Sequence, residues 1–176
     1  MPDRAGTAQP HEGGGPDARR AASRRAVVRA SAEDAFAALY DVRRHAAWIP
    51  LTRVEAPAAL EVGDEFAAVT GPGARRGGPG LVDRMRVVKH EPPSTAERRA
   101  GLARFVKTGP LLTGWAELVV RPLGPGACEV TWTERIGLRG LPMGATDLVS
   151  RPATGLMVAG VLRHAAREVE ARRSAL

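Results

Sequence analysis

One cysteine, Cys128, is all the chain has, so no disulfide can form within it. That usage suits a reducing compartment and reads as cytoplasmic. Long apolar runs are missing too. The longest strongly apolar stretch, Leu156 to Leu162, is far short of the roughly 20 residues that cross a bilayer. The N-terminus has no apolar stretch and reads as lacking a signal peptide. Aromatic residues are scarce at 4 %, so each weighs in the argument. Lysine is nearly absent. Lys89 and Lys107 are the two, and arginine supplies the rest of the 26 basic residues. Against 19 acids this leaves a net charge of +7. Residues 1–22 balance Arg4, Arg19 and Arg20 against Asp3, Glu12 and Asp17, so the whole excess falls on residues 23–176. A basic surface suits nucleic acid, an anionic membrane or an acidic partner. Acids interleave with the arginines along the chain, which argues against one contiguous basic face.

What is present is an ordinary globular composition, 44 % hydrophobic and 26 % charged, in 176 residues. That length holds one domain. Residues 1–22 are rich in Gly, Pro, Ala and Asp and show no apolar periodicity, which predicts a disordered tail before a single domain at 23–176. A short strand is expected over Arg24–Ala30. Ser31 reads as a helix N-cap, with Glu33 and Asp34 in the first turn where the helix dipole favours anions. Phe36, Leu39 and Tyr40 follow at helical spacing. A second short helix is expected from Arg43 to Trp48, closed by Pro50.

Six further strands are predicted, at Thr52–Ala56, Glu65–Thr70, Leu81–His90, Glu97–Lys107, Thr113–Pro122 and Ala127–Leu138. Gly- and Pro-rich breakers separate them, as in an antiparallel sheet. Alternation puts Leu81, Asp83, Met85 and Val87 on one face, and Cys128, Val130, Trp132, Glu134 and Ile136 on another. The faces of 97–107 and 113–122 stay ambiguous. A long helix is expected from Pro152 to Arg173, with Pro152 in its first turn. Its apolar stripe is Val158, Val161, Leu162, Ala165 and Val169.

Several reactive patterns are excluded. Gly71-Pro-Gly73-Ala-Arg-Arg-Gly77 follows a strand, but Gly77-Gly78-Pro79-Gly80 cannot open the helix that a dinucleotide loop needs. It lacks the Gly-Lys-Ser/Thr end of a P-loop and reads as a flexible hairpin loop. No Gly-x-Ser-x-Gly is present. His11, His45, His90 and His164 are far apart and lack cysteine partners, so no zinc pattern appears. Cys128 falls on a buried strand face and reads as a small hydrophobe. No metal or organic cofactor is implied.

The order of one strand, two short helices, six strands and a long helix resembles the SRPBCC superfamily, also called START-like or birch-pollen-allergen-like, which includes polyketide cyclases and dehydrases. The residues that carry the resemblance are Val28 to Phe36, Asp41 to Trp48-Ile49-Pro50, Val62-Gly63-Asp64-Glu65-Phe66, Val87 to Pro93 and Arg121-Pro122-Leu123-Gly124. The resemblance covers roughly residues 23–173. It implies an α+β helix-grip fold, in which a curved antiparallel sheet wraps around the C-terminal helix over a cavity for a lipid, polyketide or aromatic molecule. The Gly71–Gly80 loop and the segment Gly137–Asp147 are candidate lids.

Within such a cavity, large apolar groups with a few convergent polar ones contact the ligand. The candidates are Trp48, Phe66, Met85, Phe105, Trp115, Trp132, Glu134, Met157 and Val161, with Met143 in the wider set. Asp83 and Glu134 fall on apolar strand faces, where a carboxylate is costly unless paired or wet. They, and His164 one helical turn before Glu168, are the catalytic candidates for general acid–base work in a cyclisation or dehydration. Each has an alternative reading. The carboxylates can pair with an arginine of a neighbouring strand, such as Arg104, or face water at a strand end. His164 can form a surface pair with Glu168.

Overall fold

Ser31 does what its position before Ala32 implies. Its backbone is extended, and its hydroxyl accepts the Asp34 N–H at 3.1 Å. Helix α1 (Ala32–Tyr40) then buries Ala35, Phe36, Ala38 and Leu39 on its inner face. The computed structural model describes residues 20–174, with side chains for all of these except 143–145, 147–149 and 173–174. Most of the expected tail therefore lies outside the described residues. Ala22, assigned to it, opens strand β1 (Ala22–Val28) and is buried. The second helix of the pair is split into a 3₁₀ turn at Val42–Arg44 and a single α-turn, α2 (His45–Trp48). Ile49 becomes extended ahead of Pro50, as a residue before proline must.

The remaining strands are β2 (Thr52–Glu55), β3 (Glu65–Thr70), β4 (Leu81–Glu91), β5 (Gly101–Lys107), β6 (Leu112–Gly124) and β7 (Ala127–Leu138). With β1 they form one seven-stranded antiparallel sheet in the order β1-β7-β6-β5-β4-β3-β2. This is the curled sheet of a helix-grip α+β fold. Strand β5 starts at Gly101, later than expected. Residues 94–99 instead form a turn closed by mutual hydrogen bonds between Ser94 and Arg99. A register shift between Val87 and Lys89 breaks the alternation of β4. Past it, His90 shares the inner face and stacks on Tyr40, with ring centroids 4.0 Å apart.

The long helix, α3 (Met143–Ser174), packs on β7 and β1. It buries the five stripe residues named from the sequence, Val158, Val161, Leu162, Ala165 and Val169. Its start is a correction, because the helix begins at Met143 and Pro152 lies inside it. The proline that introduces the helix is Pro142, whose carbonyl accepts the Thr146 N–H at 3.4 Å. Ser150 ties this early part to the sheet by donating to the Ile136 carbonyl at 3.0 Å. The candidate lid at 137–147 is thus the end of β7, a short turn and the opening of α3.

The Gly71–Gly80 loop is also more structured than its composition suggests. It holds a 3₁₀ turn at Ala74–Arg76, between glycines 73 and 77 at positive φ. Arg75 donates to the Ala46 carbonyl at 2.6 Å, and Arg53 donates to the Ala74 carbonyl at 2.7 Å. Two guanidiniums therefore fasten it to α2 and β2. The cap makes a first prediction. Ser31→Ala should cost about 1 kcal/mol of stability, read as a lower denaturant midpoint with an unchanged slope.

Candidate functional site

Between the inner face of the sheet and α3 the side chains do not close up, leaving a cavity of about 220 Å³. Phe66, Met85, Trp132, Met157, Val158 and Val161 form much of its apolar wall. Its outer end reaches Thr70, Leu81, Leu112 and Ile136, at the ends of β3, β4, β6 and β7. Asp83, Glu134 and His45 supply the polar lining. A second hollow, of about 460 Å³, runs along α1 past residues 57–60 to the end of β4. It is a surface groove and holds no comparable charge cluster.

The wall of the cavity holds an ion triad. Lys107, at the end of β5, has a side chain with no solvent exposure. Its Nζ donates to Asp83 Oδ2 on β4 at 2.5 Å and lies 2.8 Å from Glu134 Oε1 on β7. The third direction meets Met85 Sδ at 3.9 Å. Strand β6 lies between β5 and β7, and Ala116 pairs there with both Phe105 and Glu134. A methyl group at that point leaves room for the lysine to reach across. Two carboxylates share one ammonium, so the cluster carries an unbalanced negative charge when all three groups are ionised.

Burial raises the Asp83 pKa, Lys107 opposes the rise, and Glu134 adds to it, leaving the carboxyl above its ordinary range. Burial works against the Lys107 ammonium, but Glu134 and Asp83 outweigh it and hold the pKa above the usual value. Asp83 Oδ1 and Trp132 Nε1 are buried with no hydrogen-bond partner. An acceptor and a donor are therefore unsatisfied on residues that line the cavity, which is the condition a polar ligand group relieves.

Sequence reasoning placed Asp83 and Glu134 on the inner face, and the partner it offered among its alternatives, Arg104, is not the one they have. Arg104 is on the opposite face, 3.8 Å from Glu117 and 5.1 Å above the Trp115 ring. Trp115 therefore lies away from the cavity. Phe105 is buried core, edge-on to Phe66 at 5.6 Å. Trp48 is buried behind the wall and donates its Nε1–H to Glu168 at 2.9 Å. That carboxylate also holds Arg44 and Arg172 at 3.0 Å each, in place of the expected His164. His164 is exposed on α3 and away from the cavity. The Met143 side chain lies outside the described residues.

Two lining or wall residues were missed. One is Lys107. Its one signal was rarity, since it is one of two lysines in an arginine-rich chain. The other is His45, buried against Trp48 and Trp132 with ring centroids 5.3 and 5.4 Å away. Its Nε2–H donates to the Leu39 carbonyl at 2.9 Å. Desolvation lowers its pKa, although the Leu39 hydrogen bond, Glu134 and Asp41 all oppose that. Among the described residues no cluster of His, Cys, Asp and Glu could hold a metal ion. Cys128 is buried, and its thiol is pushed up to about 11. No described helix is long and apolar enough to cross a membrane.

Two predictions follow from this chemistry. Lys107→Met strands two buried carboxylates and should cost about 3–5 kcal/mol, whereas the triple variant Asp83→Asn, Lys107→Met, Glu134→Gln should regain most of that in a denaturation series. His45 is kept below its unfolded pKa. Its contribution is present above about pH 6.5 and is lost as pH falls toward the lower folded value. Denaturation midpoints should therefore fall more steeply between about pH 7 and 5 in the parent protein than in His45→Gln.

No curated protein matches the chain by sequence. Solved structures that resemble it include the Zhui aromatase/cyclase from Streptomyces sp. R1128. The two share 18 % identity over 86 % of this chain and 94 % of that one, with a TM-score of 0.60. A START superfamily protein from Mycobacterium smegmatis gives 16 %, 86 %, 95 % and 0.54 in the same order. Norcoclaurine synthase from Thalictrum flavum, solved with dopamine and hydroxybenzaldehyde, gives 13 %, 96 %, 96 % and 0.54. At these identities the likeness speaks for the fold. Residues 19–172 match the family described as polyketide cyclase / dehydrase and lipid transport, and the chain belongs to that family.

Proposed function

We propose that the protein binds a compact hydrophobic molecule carrying one polar group, in the cavity between the sheet and α3. The observation that carries this reading is the pairing of an apolar wall with unsatisfied polar atoms, Asp83 Oδ1 and Trp132 Nε1, on lining residues. A plain core would have paired or excluded them. The volume of about 220 Å³ is below the ~300–1,000 Å³ of sites for drug-sized ligands, which favours one or two rings over a diacyl lipid. The family description, which names both polyketide chemistry and lipid transport, supports a hydrophobic ligand.

A second reading is favoured by one observation. Asp83 has a raised proton affinity beside a fixed ammonium, the arrangement of a general acid or base. In a cyclisation or dehydration it would move the proton while the apolar wall positions the chain.

The test is titration calorimetry with 1-naphthol, naphthalene and a sterol. Naphthol should bind about tenfold more tightly than naphthalene, the worth of one well-made hydrogen bond to a charged group, and the sterol should not bind. Asp83→Asn should reduce the preference for naphthol. Equal affinity for all three, or for none, would overturn the reading. Asp83→Asn that binds a polyketide-like substrate normally but fails to turn it over would move the assignment to the enzyme.

A further inference from the structure

The sheet has two ends, and they differ in chemistry. The end at which the cavity reaches the surface consists of residues 49–52, 70–81, 108–113 and 137–142. These segments hold Arg75, Arg76 and Arg139 and not one Asp or Glu. The interleaving of acids with arginines seen elsewhere in the chain stops here. The connections at the opposite end, by contrast, include Glu61, Asp64 and Glu97.

The same segments carry exposed leucines. Leu51, Leu81, Leu111 and Leu141 are 53, 49, 56 and 54 % exposed, and Leu138 is 40 % exposed. Backbone bonds join the segments of this rim in two groups, 49–52 with 70–81 and 108–113 with 137–142. The Gly71 N–H donates to the Leu51 carbonyl, Thr70 pairs with Leu81, Arg139 donates to the Leu111 carbonyl, and Leu141 donates to Leu138. The arginines leave their charge free. Arg75 donates to the carbonyls of Ala46 and Ile49 and Arg139 to those of Pro110 and Gly109, while all three guanidinium residues are exposed. Leu51 adds an independent sign. Its φ is +57°, a left-handed conformation that a leucine adopts at a cost, and it holds the side chain half out in water.

We infer that this rim docks the protein onto an anionic lipid surface, with the leucines entering the interface and the arginines meeting lipid headgroups. The occupant follows from the arrangement. Leucines on three connections and at two strand ends, collared by unneutralised guanidiniums, match a fluid apolar layer beneath negative headgroups. The leucines come from separate segments rather than from one helix or sheet face, which suits a fluid surface better than a fixed protein face. Docked in this way, the cavity mouth opens toward the bilayer. The inference concerns the rim and holds whether or not the cavity is filled.

The test is sedimentation of the full-length protein, without added ligand, with vesicles of phosphatidylcholine alone or with roughly one-third phosphatidylglycerol. Binding should need the anionic lipid and weaken with salt. Arg76→Gln should lower the partition coefficient about fivefold, and Leu111→Ser with Leu141→Ser by tenfold or more. Leu123→Ser, an exposed leucine outside the rim segments, serves as the control and should change nothing. Leu51→Gly separates docking from folding, because it should raise the melting temperature while weakening vesicle binding. Absence of binding to anionic vesicles would overturn the inference and leave an acidic protein as the rim's partner. So would equal losses in the rim and Leu123 variants.

Discussion

A single ammonium group determines how the sheet is held on its inner face. Lys107 brings β4, β5 and β7 together by donating to one carboxylate on β4 and one on β7, and it does so without exposure to solvent. An isolated charge in that place would be prohibitively costly, and so would either carboxylate alone. Each is tolerable only because the others are within hydrogen-bond reach. The consequence is spatial as well as energetic. A polar triad cannot interdigitate with the apolar side chains of α3 as Val130 or Leu118 can, so the packing opens next to it and the cavity appears there. The surrounding wall of Trp132, Met85 and Phe66 covers most of the cluster, and the Asp83 side chain keeps 18 % exposure on the side of the opening.

The rest of the domain supports this opening from outside. The sheet curls, α3 closes one side through its valine and leucine stripe, and α2 sets His45 in the lining and Trp48 behind it. Trp48 is itself tied to α3 through Glu168, which also takes Arg44. The short helix pair and the long helix are thus linked by a charged junction at the surface, while their apolar faces meet below. Arg75 and Arg53 fix the β3–β4 connection, so the rim near Leu81 has a defined shape.

Much of this was legible in the sequence, for reasons that differ from one part to another. Strict alternation placed Asp83 and Glu134 inward, and the 3.6-residue period selected the buried stripe of α3. Ser31 announced its helix through side-chain chemistry alone. The failures occurred where a local rule met a competing one. Pro152 looked like a helix start because proline prefers that place, yet Pro142 held it and the helix ran through the second proline. Both faces of β5 offered apolar residues, Leu102 and Val106 against Ala103 and Phe105, so Lys107 had no assigned side. Pairing across strands is a tertiary fact. That is why Arg104 was an equally reasonable partner for the carboxylates until the register put it on the other face. The glycines of 71–80 signalled looseness, but the arginines that fasten the loop act through backbone carbonyls, which leave no mark in composition.

The burial of Lys107 also changes what the molecule shows to chemistry outside it. Of two lysines, one is sealed in, and the other, Lys89, is about one-third exposed and paired with Glu91 at 3.2 Å. The outer positive charge is therefore almost wholly guanidinium, which amine-directed reagents do not modify. Reagents and enzymes that acylate side-chain amines would find a single address on the folded domain, at Lys89. Acylation of Lys107 would report unfolding, since that amine comes into contact with solvent only when the sheet has come apart.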